Sequence, residues 1–296
     1  MTLIVLAAAM GSRYGGLKQL EGIGPSGETI LDYSIYDAIH AGFHRIIFVI
    51  NRNIEREFKH LVSGKYEHLV DIAYVFQDLE DIPLEKRNPN RKFPYGSVRA
   101  VLTCKNLVNE PFGVINAVNF YQRESFTLLN QALVALKSSS DYGVNICFRL
   151  KNVLSETVGV KRGICEVDEQ GYLQRVTDCE NVELVSGKPM YPNTLHRWIP
   201  LEDDDFVSMN MWGFRPEMMA DMQQEFDAFL EKYGQDLKAH FPIPEFVNQR
   251  IHKGDKIKVI ETPARWMGLV SQDDKIQVVL RINEMIRKGV YPSKLF

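Results

Sequence analysis

At 296 residues the chain has room for about two domains of ordinary size, or for one large α/β unit with insertions, and it can bury a core without disulfide or metal staples. Hydrophobic residues make up 45% of it and charged residues 25%, which excludes wholesale disorder. The formal net charge of −3 excludes the cationic surplus of a nucleic-acid surface and gives no sign of a membrane binder, but it leaves room for a local phosphate pocket.

In chain order, Leu3-Ile4-Val5-Leu6 is a continuous apolar run that predicts a buried first strand. The apolar start has no positive charge ahead of it and runs into Gly11-Ser12-Arg13, so it reads as that strand and not as a signal peptide. No apolar run reaches the ~18 residues of a membrane helix, and a cytoplasmic location is the expectation. Residues 29–41 carry Ile30, Leu31, Ile35, Ala38 and Ile39 at helical spacing, with Gly42 as the stop. Residues 46–50 predict a second strand, 54–62 a short helix and 72–76 a third strand. Residues 77–94 hold Pro83, Pro89 and Pro94 and read as a long loop. Residues 97–107 predict a helix, 112–115 a strand and 124–136 a helix.

The second half predicts a hairpin of residues 163–167 and 172–176, then strands at 182–185 and 207–214. Pro216 opens a helix to about residue 233, residues 256–260 form a late strand, and residues 272–288 form a closing amphipathic helix. No internal repeat or low-complexity segment interrupts this order. Strands alternating with crossover helices imply a three-layer α/β/α, Rossmann-like, mostly parallel sheet, with a mixed region packed on it. The expected organisation is one domain over residues 1–296, with a nucleotide-side half to about residue 150 and a substrate-side half beyond it. In such sheets ligands sit past the carboxyl ends of the strands.

The segment that carries most chemistry runs from Leu6 through Ala7, Ala8, Ala9, Met10, Gly11, Ser12 and Arg13 to Lys18. A buried strand ends in small residues, which let backbone N–H groups approach an anion closely, and two cations follow. Arg13 offers a planar fork for phosphate oxygens and Lys18 a point charge. Neither the Walker order nor GxGxxG is present. The plain alternative is an ordinary strand-to-helix turn with solvated cations.

This segment resembles the signature L-A-[AG]-G-x-G-[ST]-R, followed by a lysine, of the sugar-1-phosphate nucleotidyltransferases. The resemblance continues through Tyr74-Val75-Phe76-Gln77, Phe93-Pro94-Tyr95-Gly96-Ser97-Val98-Arg99-Ala100, residues 111–121, Gly163-Ile164-Cys165-Glu166-Val167-Asp168, Met209-Asn210-Met211-Trp212-Gly213-Phe214 and Trp266-Met267-Gly268. It implies condensation of a nucleoside triphosphate with a sugar 1-phosphate, giving a nucleotide-sugar and pyrophosphate, with Mg²⁺ as cofactor. By resemblance Arg13 and Lys18 are the catalytic cations. Leu6, Ala7, Ala8, Ala9, Gly11, Ser12, Gln77, Gly96, Ser97 and Asn116 contact the nucleotide, and Gly163, Asp178 and Asn210 the sugar. Family members vary in oligomeric state, so self-association or pairing with a paralogue stays open.

The chain departs from the pattern at connected points. The family's acidic metal position is Val118, with Asn119 beside it, and the second carboxylate falls at Gly268. The Gly-Thr-Gly loop reads Gly96-Ser97-Val98, Ala9 stands for a glycine, and Asp178 for a longer Glu. Two readings follow: an active transferase that places its metal through other groups, with Glu202-Asp203-Asp204-Asp205 and Asp273-Asp274 as candidates, or a pseudoenzyme that binds nucleotide or nucleotide-sugar without turnover.

Other constellations are weaker. Cys104, Cys147, Cys165 and Cys179 form no CxxC pair and are expected as reduced thiols. The serines lack a Gly-x-Ser-x-Gly context. His40 and His44 lie at i,i+4 without HExxH, so surface histidines are expected. Trp198, Trp212 and Trp266 are expected in the core or a pocket wall.

Overall fold

The computed structural model describes residues 1–8, 22–62, 64–154, 159–269 and 272–296, the side chains of Leu61, Gln272 and Asp273 excepted. Six strands of the central sheet point the same way: β1 (Thr2–Leu6), β2 (Arg45–Ile50), β3 (Asp71–Phe76), β4 (Phe112–Asn116), β6 (Gly143–Arg149) and β12 (Ile257–Glu261). Only β11 (Phe206–Phe214) runs against them, between β4 and β6, and the order is β3-β2-β1-β4-β11-β6-β12.

Strand alternation sends successive side chains to opposite faces, so the sheet feeds two cores. Leu3, Val5, Ile46 and Phe48 pack under α1 (Ile30–His40), α2 (Glu55–Val62) and α4 (Arg123–Leu136). Ile4, Ile47, Val49 and Val114 pack under α3 (Ser97–Leu102), α5 (Met218–Tyr233) and α6 (Ile243–His252). These are the three layers that the alternating pattern implies. A capping box starts α1: Thr29 Oγ1 accepts from Asp32 N at 3.2 Å, and Thr29 N donates to Asp32 Oδ2 at 2.7 Å. Gly42, at φ +95°, turns the chain out of it.

The mixed region grows from the same sheet. The first three residues of β11 pair with β7 (Val160–Val167) and its last three with β4. An antiparallel ribbon continues through β8 (Leu173–Val185), β9 (Lys188–Pro192) and β10 (Trp198–Pro200). A two-residue ladder joins β5 (Asn119–Phe120) to β13 (Met267–Gly268), and α7 (Gln272–Arg287) closes the chain.

Several elements differ from the sequence pattern. The helix predicted to residue 107 ends at Leu102, because Thr103 Oγ1 donates to Ala100 O at 2.6 Å and residues 103–107 tighten into turns. Residues 173–176 and 182–185 belong to one 13-residue strand, β8, whose alternation is masked by charged outward residues and by Asn181 at φ +53°, while Tyr172 forms an isolated bridge to Lys258. Pro216 and Glu217 form a leading turn, so α5 starts at Met218. The strand β6 and the helix α6 carry no matching prediction.

Candidate functional site

After β1 the chain steps to β2 and β3, then crosses back over β1 to enter β4. The strand order therefore reverses between β1 and β4, which places the crevice at their carboxyl ends. Leu6 lies opposite Asn116 in that ladder, and Ala117 N donates to Leu6 O at 3.1 Å. Ala7 is buried, while Leu6, Ala8 and Asn116 are half-buried at the mouth. Ala9, Gly11, Ser12, Arg13 and Lys18 lie outside the described residues.

The wall of the crevice is a bulge in β11. From Ser208 to Trp212 the strand advances four positions against two on β6, and Asn210 adopts φ +59°, a conformation asparagine tolerates. The bulge frees two carbonyls, and buried side chains satisfy both. Met209 O accepts from Tyr121 Oη at 3.0 Å and from Asn119 Nδ2 at 3.3 Å, and Met211 O accepts from Asn145 Nδ2 at 3.1 Å. Tyr121 Oη also accepts from Asn116 N at 3.1 Å and from Asn119 Nδ2 at 3.0 Å. Burial pushes the Tyr121 phenol far above its ordinary value, so it stays a neutral junction.

The remaining predicted residues fall into two groups. On the nucleotide side, Gln77 Nε2 donates to Gly96 O at 3.0 Å. Gly96 sits at φ +107°, and a Cβ there would stand 2.6 Å from Phe241 O. Ser97 Oγ accepts from Ile243 N at 2.9 Å, and Val98 is fully buried in the core. This loop is thus clamped by residues 241–243, and the valine points inward instead of lining a platform. On the sugar side, Gly163 is in register with both Ser208 of β11 and Asp178 of β8, two residues from Asn210. Asn210 Oδ1 accepts from Trp212 Nε1 at 3.2 Å, and exposed Asp178 pairs with Lys161 at 3.0 Å.

Of the positions where the family resemblance expects metal carboxylates, Gly268 is the ladder partner of Asn119, the neighbour of Val118. Their chemistry does not fit Mg²⁺, which takes carboxylate and phosphate oxygens in near-octahedral geometry. Val118 has no ligating side-chain atom, and Asn119 offers one uncharged amide oxygen in place of a carboxylate, its amide hydrogens going to Tyr121 and Met209. A Cβ on Gly268 would stand 2.5 Å from Trp266 Cη2, so the indole fills the room of a side chain there. No group of three or more His, Cys, Asp or Glu among the described residues could hold a metal ion. The substitute clusters form no such group among the described residues. Asp204 pairs with Lys151 at 2.6 Å, Asp205 Oδ2 accepts from Glu202 N at 2.9 Å, and Asp273 lies outside the described side chains.

Reading by motif missed Arg162, the residue before Gly163. It is 4% exposed, and burial lowers its guanidinium to about 10. Its Nε donates to Val153 O at 2.8 Å, its Nη1 to Lys161 O at 2.8 Å and its Nη2 to Val153 O, and it stacks 4.6 Å from the Trp266 ring. Both line a cleft of about 460 Å³ beside Gly268. Tyr121 and Asn145 were missed too, since isolated polar residues in apolar surroundings carry no motif. Of the tryptophans, Trp212 is buried and Trp266 walls the cleft, but Trp198 on edge strand β10 is 43% exposed, contrary to expectation. All seven histidines are exposed, and all four cysteines are buried free thiols. No helix among the described residues is long and apolar enough to cross a membrane.

No family model matches the chain, and no curated protein does. Solved structures match along nearly its whole length. A protein assigned as a glucose-1-phosphate thymidylyltransferase from Bacillus anthracis, complexed with sucrose, is 11% identical with a TM-score of 0.65, covering 96% of each chain. The inositol-1-phosphate CTP transferase of T. maritima is 12% identical with a TM-score of 0.61, covering 96% of each. A UDP-glucose pyrophosphorylase complexed with UDP-glucose is 16% identical with a TM-score of 0.61, covering 96% of this chain and 98% of that one. At such identities the likeness is one of fold alone, and the chain shares the fold of these three proteins.

Proposed function

We propose that this protein transfers a nucleoside monophosphate from a nucleoside triphosphate to a sugar 1-phosphate, releasing pyrophosphate, in the crevice between β1 and β4. The observation that carries the reading is the switch point itself: small residues follow β1 there and lead in sequence toward Arg13 and Lys18, in a fold shared with proteins named for this chemistry. A phosphate monoester oxygen attacks the α-phosphorus, and the bond from phosphorus to the bridging oxygen of pyrophosphate breaks. The monoester has a second pKa of about 6 and needs no general base. The work left is positioning and charge neutralisation. In this reading Arg13 grips the pyrophosphate and Lys18 the oxygens near the α-phosphorus. Gln77, Gly96, Ser97 and Asn116 face the nucleotide, and Gly163, Asp178 and Asn210 the sugar.

A second reading, a non-catalytic binder of nucleotide or nucleotide-sugar, is favoured by one observation: Val118, Asn119 and Gly268 supply no carboxylate where the fold brings them together. Pyrophosphate release from a panel of nucleoside triphosphates and sugar 1-phosphates, with and without Mg²⁺, separates the two. Turnover that Arg13→Ala abolishes is the expected result. Saturable nucleotide binding with no turnover across the panel overturns transfer in favour of the binder.

A further inference from the structure

We infer that the cleft between β7, β13 and α7 is a phosphomonoester site that works without a divalent cation, with Arg162 as its central charge. The inference rests on the reading above and deepens it: it names a surface for the phosphate of the sugar phosphate, in a cleft that borders the β5–β13 ladder at Gly268.

The first support is an unpaid burial. A buried guanidinium is costly unless paired. Arg162 has no carboxylate within ion-pair distance among the described residues, and the acid that acts on it at longer range is Asp274. Three of its five N–H groups are spent on backbone carbonyls, which leaves two for an incoming anion. The Trp266 ring fixes its plane from one side.

The second support is the lining of the cleft. Arg162, Arg265, Arg281 and Arg287 face it, against the carboxylates Asp274 and Glu284. Glu284 is already engaged by Arg281 at 2.7 Å and by Lys288 at 2.5 Å. The Nε atoms of Arg281 and Trp266 (Nε1 in the indole) are buried without a hydrogen-bond partner. A volume of about 460 Å³ suits a compact phosphorylated molecule.

The third support is the neighbouring ladder. Where a metal-bridged site would need two carboxylates, this chain has Val118 and Gly268, with neutral Asn119 opposite the glycine and Trp266 covering it. The local charge has therefore changed sign, from a site that recruits a cation to one that meets the anion directly.

The test is calorimetric titration of the full chain with glucose 1-phosphate and with inorganic phosphate, in EDTA and in magnesium chloride. At least one probe should bind with an affinity that EDTA changes by less than about twofold, weakened about tenfold or more by Arg162→Gln. Arg281→Gln, at a half-buried position where α7 lines the cleft, should weaken binding about threefold and serves if the Arg162 variant does not fold. Binding that requires Mg²⁺, binding unchanged in a folded Arg162→Gln or Arg281→Gln chain, or no binding of either probe would overturn the inference. Metal-free binding with no pyrophosphate release fails the transfer reading alone. Turnover with strictly Mg²⁺-dependent binding fails only this inference.

Discussion

Tyr121 puts one buried hydroxyl among three polar neighbours, two of which, Asn119 and Met209, are themselves buried. Its oxygen takes the Asn116 N–H and one Asn119 amide hydrogen, and its proton goes to Met209 O. An unsatisfied buried polar group costs about 1–3 kcal/mol, so a single deleted oxygen here is felt more than once. Tyr121→Phe should lower stability by about 3 kcal/mol, read from the urea midpoint at constant m-value. A loss under about 1 kcal/mol would mean that the bulge carbonyls reach solvent or repair themselves. The same variant should weaken ligand binding, because Asn116 and the bulge bearing Asn210 are positioned through that hydroxyl. Gly96 shows the complementary logic. At φ +107° and with Phe241 O against it, it holds the loop that accepts from Gln77, and its glycine is legible in sequence. The clamp from residues 241–243 is not, because a backbone carbonyl from a distant segment leaves no residue-type signal.

At the scale of elements, α1 carries a buried acid that its amphipathic pattern does not announce. Asp37 is fully buried, accepting from Tyr291 Oη at 2.6 Å and lying 3.4 Å from Arg123 Nε at the start of α4. Burial raises its carboxyl from 3.8 to about 7, against the opposing pull of Tyr291 and Arg123, while Glu124 adds to the rise. Folded, the group keeps its proton up to about pH 7; unfolded, it releases it near 3.8. The folded state binds the extra proton in that window, so this group makes stability fall as pH climbs through it and level off above. Asp37→Asn removes the term. The stability of the variant relative to the wild-type chain should rise between pH 5 and 7, by at most about 1.4 kcal/mol per pH unit, then hold constant. A difference that stays flat from pH 5 to 8 in thermal melts would refute the assignment. Elements with uniform chemistry were legible: β1, β2 and β4 are apolar runs, and α1 has clean spacing ended by Gly42. β6 was not, because Asn145, which repays the β11 bulge, interrupts its apolar run. β5 and β13 were not, because two residues carry no period.

At the scale of the molecule, β11 decides how the halves relate. Its first three residues belong to the β7–β8 ribbon and its last three to β4, while β6 pairs with it along the other edge. The expected sugar side and nucleotide side are thus two ends of one strand, with the bulge between them forming the crevice wall. This explains why the site was only partly legible. Motif order aligned its residues along the chain, but the register of Gly163 with Ser208, and of Asn119 with Gly268, arises from pairing between distant segments. Contacts of that kind depend on three-dimensional closure and leave no local period. We propose that residues 1–296 unfold as one cooperative unit for the same reason. Trp212 sits in β11 and Trp266 beside β13, so tryptophan fluorescence follows the shared strand and the substrate side. Far-UV circular dichroism is weighted toward the helices, including α1, α2 and α4 of the nucleotide side. If β11 couples the halves, the two signals should share one urea midpoint, and Tyr121→Phe should shift both together. Two midpoints, or a shift confined to fluorescence, would show that the ribbon and the parallel sheet unfold separately, and that the crevice can open along β11 without loss of the nucleotide side.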